Sequence, residues 1–476
     1  MTKADPLAYF RPYPALAFCA ILIFLLNGAA VAQPATLPAS VTNALKEAGI
    51  PAQSVAVLVR SVDGEAPLIA HNSRTPMNPA SVMKLMTTYA ALDALGPAYT
   101  WKTEVLTDRP AVDGRLDGNL YLRGSGDPRL GLEQFWLFLR QLRTHGVRDI
   151  VGDLVLDRSA FSLPPHDPAE FDNDPLRPYN VGPDALLINL QSLQFTLHPG
   201  NGGRIEVWPE TPGSERLVRN QLTMGNGACG DWREQLKITV DGDAVVLRGA
   251  YPVACGDKTL YLAPLAANLQ IERLFRALWQ ELGGTLSGQV HDGATPPGAT
   301  ALVTQQSPTL GEIVREINKF SNNVMARQVF LTLDAARPAT PQGAQRSIRA
   351  WLADKNLSMP ELVLDNGSGL SRKERISADS LARLLLAAWQ SPVMPELISS
   401  LPLAGVDGTL RKRMTTSPAG GRAHLKTGYL GNVRALAGYV LDNSGKRWIV
   451  VFMINDARAP QGKPAMDELL RWLAAR

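Results

Sequence analysis

Three short motifs that lie far apart in the chain contain the groups of one active site, and this constrains the fold more than any other sequence feature. They are Ser81-Val82-Met83-Lys84, Ser321-Asn322-Asn323 and Lys426-Thr427-Gly428. Together they offer a serine beside a lysine, a second hydroxyl with an amide, and a cation beside a glycine. This set of groups is suited to acyl transfer without histidine. Roughly 240 residues separate the first two motifs. If the motifs form one site, the fold must bring these distant segments together.

Ser81 is the candidate nucleophile of the first motif. It is the only serine in the sequence that has a lysine three residues later. This spacing predicts a hydroxyl and an amine on adjacent turns of one helix face. A neutral serine needs a base, and Lys84 can serve if burial or the nearby charge of Lys426 lowers its pKa. The alternative is a serine that only begins a helix, followed by a solvated lysine.

The second motif supplies a hydroxyl and an amide at a turn that leads into a helix. Ser321 would relay a proton between the lysine and the leaving group, and the Asn323 amide would hold the substrate backbone. We expect Asn322 to point elsewhere. The alternative function of this motif is helix capping, for which serine and asparagine are both preferred.

The third motif falls where a strand is predicted. Lys426 and Thr427 suit the binding of a substrate carboxylate, while Gly428 allows the substrate to approach the backbone. The backbone N–H groups of Ser81 and Tyr429 would form an oxyanion hole. The alternative is an ordinary exposed edge strand.

The pattern of apolar residues predicts an α/β domain that is split by an insertion. Residues 33–98 and 301–476 form the α/β domain, with early and late strands in one sheet and the Ser81 helix beside it. Residues 99–300 contain many short apolar runs punctuated by Gly, Pro, Asp and Asn. This texture predicts a mostly-β insertion of two subdomains, with a nested module at about 195–262.

The N-terminus is typical of an export signal. Lys3 and Arg11 precede an apolar run, and Ala30-Val31-Ala32 offers small residues for cleavage near Ala32. We therefore expect residues 1–32 to be a signal peptide and the chain to be periplasmic; the alternative is an uncleaved anchor.

Two cysteines, Cys229 and Cys255, remain after removal of the signal. An even pair in an exported protein favours a disulfide over a metal site or a redox site. Both cysteines fall within the insertion, where a covalent crosslink would suit a small module. We predict a structural disulfide.

The charge balance argues against a nucleic-acid partner. The net charge is +4, from 48 basic and 44 acidic side chains, without a long basic run. The small excess favours an anionic polymer or surface and is compatible with a loose association with the membrane or the cell-wall machinery.

In combination, the motifs resemble those of penicillin-binding proteins and serine β-lactamases. The long gap after the first motif resembles that of the D-Ala-D-Ala carboxypeptidase/endopeptidase family, peptidase family S13, also called the penicillin-binding protein 4 or DacB family. The resemblance covers nearly the whole chain after the signal. It includes four further segments: Gly124–Pro128, Gly152–Asp157, Asp365–Arg372 and Ala404–Thr409.

This resemblance implies a penicillin-binding transpeptidase/β-lactamase-like fold and a mechanism. Ser81 would attack the bond between two D-alanines, or a D-alanine to diaminopimelate cross-link of peptidoglycan, and form an acyl-enzyme that water releases. Lys84 would activate Ser81, Ser321 would shuttle protons, and Lys426 with Thr427 would bind the terminal carboxylate. The partners would be peptidoglycan stem peptides, with β-lactams as covalent inhibitors. No cofactor or metal is implied.

Three further positions concern substrate binding. Arg372 would meet an acidic group of the stem peptide, and Asp167 in the insertion would meet the diaminopimelate amine. Surface arginines and solvated aspartates are the alternatives. Tyr429 departs from the small hydroxyl residue that often follows the glycine of the third motif, so only its backbone is expected to keep the usual role.

Other enzyme classes fit the sequence less well. A Ser-His-Asp hydrolase is disfavoured because the chain has no Gly-x-Ser-x-Gly segment and only six histidines. A zinc peptidase is disfavoured because no His-Glu-x-x-His segment occurs. A serine β-lactamase, and an envelope scaffold or binding protein with little activity, remain as alternatives.

Overall fold

The computed structural model describes residues 36–63 and 66–476. The predicted signal peptide, residues 1–32, lies outside the described residues. None of the helices in the described part combines the length and the apolar character needed to cross a bilayer.

The α-helices of the described residues, in chain order, are α1 (Ala39–Glu47), α2 (Lys84–Leu95), α3 (Leu132–Thr144), α4 (Ala267–Glu281), α5 (Leu310–Phe320), α6 (Asn323–Thr332), α7 (Pro341–Asp354), α8 (Ala378–Trp389), α9 (Met394–Ser400) and α10 (Lys463–Ala474).

The strands of the described residues are β1 (Val55–Ser61), β2 (Ile69–His71), β3 (Lys102–Thr107), β4 (Arg115–Leu116), β5 (Leu120–Gly124), β6 (Asp149–Ile150), β7 (Leu154–Asp157), β8 (Leu193–Pro199), β9 (Ile205–Pro209), β10 (Val218–Gly225), β11 (Leu236–Asp241), β12 (Ala244–Pro252), β13 (Lys258–Leu262), β14 (Thr285–Leu286), β15 (Val290–Asp292), β16 (Thr300–Gln306), β17 (Ala423–Leu430), β18 (Val433–Leu441) and β19 (Arg447–Asn455).

The main sheet joins the beginning of the described chain to its end. Its five strands have the order β17-β18-β19-β1-β2. Strand β1 runs antiparallel to β19, from the pair Val55 and Ile454 to the pair Ser61 and Trp448. Early and late strands therefore share one sheet, as the sequence predicts, and the α/β fold class is confirmed.

Both faces of the main sheet are buried, which explains why its strands are continuous apolar runs. In β1, Ala56 and Leu58 point into a core shared with α2 and α8. Val55, Val57 and Val59 point into a second core, shared with α1 and α10. Successive residues of a strand face opposite sides, so a strand covered on both sides has little place for polar residues.

The insertion leaves and re-enters the main domain through two paired strands. Its first strand, β3, runs antiparallel to its last strand, β16. Beyond this pair, Trp101 N–H donates to Ser307 Oγ at 3.0 Å, and Ser307 N–H donates to the Trp101 carbonyl at 3.0 Å. The boundary predicted at residue 301 falls inside β16, so the inserted segment extends to residue 306.

The insertion is mostly β, as predicted, and it also contains two α-helices, α3 and α4. A five-stranded sheet with the order β15-β7-β5-β3-β16 shares one core with these helices. In α3 the residues Phe135, Phe138, Leu139 and Leu142 form the buried stripe of an amphipathic helix. The two helices therefore cover the sheet and complete its core.

The nested module lies between Leu193 and Leu262. It consists of two three-stranded sheets, with the orders β13-β8-β9 and β10-β12-β11, around a core of its own. Cys229 and Cys255, which are 26 positions apart, form a disulfide in this module. The disulfide lies outside the main domain, in a region with a small hydrophobic core.

The insertion also supports helix α6 of the main domain. Arg327 Nη1 donates to the Val181 carbonyl at 2.7 Å. Gln328 exchanges two hydrogen bonds with the backbone of Asp184, at 2.7 and 3.0 Å. Because α6 begins at Asn323, these contacts help to fix the position of the second motif.

Candidate active site

Ser81 lies in a 3₁₀ turn, Ala80–Met83, and not in the α-helix that follows. Helix α2 begins at Lys84, so the serine and the lysine lie on either side of the junction between the two helix types. Ala80 adopts a left-handed conformation with φ 46°, which costs free energy for a residue other than glycine. The Ser81 side chain is partly exposed, as a nucleophile must be.

Asn78 holds this strained turn in place. Its Oδ1 accepts a hydrogen bond from Ala80 N–H at 2.8 Å, and its Nδ2 donates to the Ser371 carbonyl at 2.8 Å. The side chain of Asn455, at the end of β19, in turn binds the N–H and the carbonyl of Asn78 at 2.8 and 3.0 Å. The main sheet thus fixes the backbone that carries Ser81.

Lys84 is completely buried among three oxygen acceptors. Its Nζ lies 3.1 Å from Ser81 Oγ and 2.6 Å from Asn323 Oδ1, and it also contacts the Ser368 carbonyl. Burial lowers the pKa of Lys84 well below its ordinary value, and the positive charge of Lys426 lowers it further. A lowered pKa favours the neutral amine, which is the form that can accept the proton of Ser81.

The residues of the second motif have two different roles, since one caps a helix and two belong to the site. Asn322 is the N-cap of α6, where its Oδ1 accepts a hydrogen bond from Met325 N–H at 3.1 Å. Ser321 ends α5 in a left-handed conformation with φ 58°, and its Oγ points to Lys426. Capping is therefore the function of Asn322, which points away as expected, while Ser321 and Asn323 contact the two lysines.

The third motif lies on β17, at the edge of the main sheet, yet its lysine is buried. Lys426 Nζ donates to Ser321 Oγ at 2.8 Å and to the Thr427 carbonyl at 3.0 Å. Burial lowers the pKa of Lys426 to about 7. The Thr427 hydroxyl lies 3.1 Å from that of Thr409, a residue to which the sequence analysis gave no role of its own.

Gly428 allows β17 to approach the turn that carries Ser81. A Cβ atom at this position would lie 2.5 Å from the Pro79 carbonyl oxygen and 3.2 Å from Ser81 N, so no larger residue fits without movement. Tyr429 is exposed, and the guanidinium of Arg434 lies 5.1 Å from the centre of its ring. The unusual side chain after the glycine therefore points to solvent.

A fourth element of the site, which none of the three motifs contains, is the loop that joins α7 to α8. Besides the Ser368 carbonyl that binds Lys84, the Gly367 carbonyl accepts a hydrogen bond from Thr87 Oγ1 on α2 at 2.6 Å. A Cβ at Gly369 would lie 2.7 Å from Ser81 Cα. The segment Asp365–Arg372 contributed to the family resemblance, and that was the only signal for this loop.

A cavity of about 470 Å³ lies beside this loop. Its lining includes insertion residues between Leu163 and Phe171 and residues of α6, α7 and the 365–373 segment. Asp167 and Arg372, the two candidates for substrate binding that lie outside the three motifs, both line this cavity. Neither has a hydrogen bond to the residues of the three motifs. Arg372 donates to the Phe171 carbonyl at 2.8 Å and stacks on its ring at 4.8 Å.

Comparisons with known proteins agree with this arrangement. The model of the D-Ala-D-Ala carboxypeptidase 3 (S13) family matches residues 37–476. The D-alanyl-D-alanine carboxypeptidase DacB of Haemophilus influenzae is 26% identical over 411 residues, which cover 84% of this chain and 85% of that protein. A D-alanyl-D-alanine carboxypeptidase of an Actinomadura species is 29% identical over 416 residues, covering 83% of this chain and 76% of the relative.

Solved structures share the fold. The crystal structure of penicillin-binding protein 4 from Haemophilus influenzae has a TM-score of 0.77 at 24% identity and covers 92% of this chain and 99% of its own. A structure of that protein complexed with a β-lactam has a TM-score of 0.72 at 23% identity, over 92% of this chain and 100% of its own. Since the family model spans nearly all described residues, the predicted family is confirmed, and the chain belongs to the D-Ala-D-Ala carboxypeptidase 3 (S13) family.

Proposed function

We propose that this member of the S13 family is a serine DD-peptidase of peptidoglycan that works through an acyl-enzyme on Ser81. Its substrates are the D-Ala-D-Ala ends of stem peptides and D-Ala to diaminopimelate cross-links. One observation carries the proposal: the buried Lys84 contacts both Ser81 Oγ and Asn323 Oδ1, which are far apart in the sequence. A buried lysine of lowered pKa beside a serine is the arrangement that activates the hydroxyl.

Acylation begins when neutral Lys84 takes the proton of Ser81 Oγ. The oxygen attacks the carbonyl carbon of the penultimate D-alanine, and the backbone N–H groups of Ser81 and Tyr429 stabilise the resulting oxyanion. Collapse of the tetrahedral intermediate breaks the peptide bond. The leaving amine takes back a proton from Lys84 through the Ser321 hydroxyl, so that the acyl-enzyme forms without net proton loss. A water molecule then hydrolyses the ester by the same proton path.

The terminal carboxylate of the substrate binds at the third motif. Lys426 supplies a positive charge in a water-poor site, where a charge-assisted hydrogen bond is strong. The paired hydroxyls of Thr427 and Thr409, 3.1 Å apart, add donors beside it. Asn323 orients the peptide backbone. β-Lactams carry a carboxylate and a strained amide, so they bind at the same site and acylate Ser81. Their acyl-enzyme is hydrolysed slowly.

The cavity beside the 365–370 loop receives the remainder of the stem peptide. Asp167 meets the side-chain amine of a diaminopimelate residue, and Arg372 meets an acidic group on the same peptide. Support comes from their shared place in the lining of one cavity, with exposed side chains that a ligand can reach.

The substrate also indicates the compartment. Peptidoglycan lies outside the cytoplasmic membrane, so the enzyme acts after export. The basic and apolar N-terminal pattern supports periplasmic location, with cleavage near Ala32.

The decisive test replaces the nucleophile. We expect Ser81→Ala to reduce D-Ala release from a pentapeptide by at least about 10⁴-fold and to abolish covalent labelling by penicillin, since no other group supplies the covalent step. Ser399→Ala is the control, because this serine lies on α9 and binds only the Glu396 carbonyl. Undiminished hydrolysis by the Ser81 variant would contradict the mechanism. Rapid turnover of bound penicillin by the wild type would instead indicate a β-lactamase.

A further inference from the structure

Glu374 is a buried carboxylate that the mechanism above does not use. It is completely inaccessible to solvent. Its Oε1 accepts hydrogen bonds from three successive backbone N–H groups, those of Asp365, Asn366 and Gly367, at 3.3, 3.2 and 3.1 Å. Its Oε2 is buried without a hydrogen-bond partner among the described residues. Burying a carboxylate in this way is costly, so its position calls for a compensating role.

The backbone that Glu374 binds is also the backbone that contacts the nucleophile and its base. The next residue after the three N–H groups, Ser368, supplies the carbonyl that accepts a hydrogen bond from Lys84. Gly367 is tied to α2 by the hydrogen bond from Thr87. Gly369 lies against Ala80, where a Cβ would approach the carbonyl oxygen to 2.0 Å. A shift of this loop would therefore move an acceptor of Lys84 and release the turn that holds Ser81.

The charge of Glu374 acts on the same lysine. Burial raises the pKa of Glu374 to about 7, and the neighbouring Asp365 carboxylate raises it as well. As an anion it raises the pKa of Lys84, against the effects of burial, Lys426 and Arg327, which lower it. Three other charged groups act on the pair formed by Lys84 and Glu374. They are Arg327 on α6, Lys426 on β17 and Asp365 on the same loop as Glu374.

We propose that Glu374 is a positioning residue for the S13 reaction: its carboxylate holds the loop that supplies the Ser368 carbonyl to Lys84, and it places a negative charge in the buried surroundings of that lysine. The inference rests on the proposed function of Ser81 and Lys84 and extends it to a residue that touches neither substrate nor nucleophile. Geometry and charge can be separated, because glutamine keeps an acceptor oxygen for the three N–H groups and removes the charge.

The test measures the rate of acylation by a fluorescent penicillin between pH 5 and pH 9. For Glu374→Gln we expect the part of the acid limb above about pH 7, where the wild-type Glu374 is ionised, to shift to lower pH by about one unit, and the profile below that pH to stay close to wild type. Without the anion the pKa of Lys84 falls, and the neutral amine persists in more acidic solution. For Glu374→Ala we expect a similar shift and a further loss of about tenfold to a hundredfold in the limiting rate, because the loop loses its acceptor.

Glu361→Gln is the matched control. Glu361 Oε1 accepts hydrogen bonds from Ser377 and Ser380 at the start of α8, and Glu361 is not part of the site. We expect this variant to lower the melting temperature without moving the acid limb. If Glu374→Ala does not fold, Glu374→Gln alone carries the test.

The two proposals fail in different ways. If wild-type enzyme is not acylated at Ser81, the proposed function is wrong. If wild type is acylated and the folded Glu374→Gln variant keeps the wild-type limb, or changes only in stability as the Glu361 control does, the role of Glu374 is wrong and the mechanism stands.

Discussion

The centre formed by the three motifs and the cavity beside it differ in how much water reaches their charged groups. Lys84 and Lys426 are both 0% exposed. Arg372 and Asp167 are exposed side chains on the rim of an open cavity. Burial changes the pKa of a lysine and so creates a base, whereas an exposed charge contributes only about 0–1 kcal/mol in a pair. In the proposed mechanism, the groups that break the bond are those from which water is excluded, and Arg372 and Asp167 bind the substrate where water remains.

The two regions also differ in the rigidity of the backbone that carries their charged residues. The lysines lie on α2 and β17, whose residues are packed in the main domain. Asp167 lies on an irregular segment of the insertion, held locally by a hydrogen bond from Ala169 N–H to its own side chain at 2.8 Å. Rigid elements suit groups whose geometry must be exact to a fraction of an ångström, while loops tolerate substitution and change specificity.

The largest effect that tests this contrast concerns Lys426 and pH. Because burial lowers the pKa of Lys426 to about 7, its cation disappears as pH rises through that value. We expect kcat/KM for a substrate with a free terminal carboxylate to fall about tenfold per pH unit on the alkaline side. The same peptide with an amidated terminus should not show this decline. A common alkaline limb for both peptides would mean that Lys426 does not bind the carboxylate through its charge.

A smaller change in kcat/KM is expected from a substitution at the exposed residue Arg372. Arg372→Ala should reduce kcat/KM about tenfold for a stem peptide that carries an acidic group, since one charge-assisted hydrogen bond is lost. Penicillin acylation of Ser81 should change by less than about twofold, because this cavity is separate from the buried centre. Arg471→Ala on α10 is the control, since Glu468 is the single ion-pair partner of Arg471 within the described part of the chain. Equal losses toward both reagents would show that Arg372 supports the buried centre instead.

The smallest effect on catalysis is expected in the nested module. Replacing Cys229 and Cys255 together by serine should lower the stability of residues 193–262 by about 3.5 kcal/mol, the loop-closure value for a 26-residue separation. Hydrolysis of soluble pentapeptide should not change. Denaturant unfolding followed by tryptophan fluorescence, combined with the activity assay, checks both parts. Activity that is lost in parallel with module stability would couple the module to the active site.

Much of this architecture could be predicted because the local pattern and the final environment agree. The nine-residue strand β19 is nearly all apolar, as a strand buried on both faces must be. The three motifs predicted the residues that meet around Lys84 and Lys426, since each motif keeps its groups within a few positions of one another. For the spacing of Ser81 and Lys84 the prediction was right about proximity, although the turn is 3₁₀ and not α-helical.

The remainder depends on packing that no local pattern reveals. Glu374 lies in the highly charged segment Arg372-Lys373-Glu374-Arg375, which is typical of a solvated surface. Only the fold turns this one side chain inward. The Ser368 carbonyl is a backbone group and has no sequence signature, and Thr409 is identified only by its distance from Thr427. The helices α3 and α4 are an exception, because their buried residues recur at helical spacing in the sequence.

The pairing of β3 with β16 has a consequence for protein engineering. Because the inserted chain begins and ends on adjacent antiparallel strands, the two ends of the insertion are close enough to be joined by a short turn. Excision of the insertion would nevertheless remove the contacts of Val181 and Asp184 with α6. A shortened enzyme would therefore have to stabilise the helix that begins at Asn323 by other means.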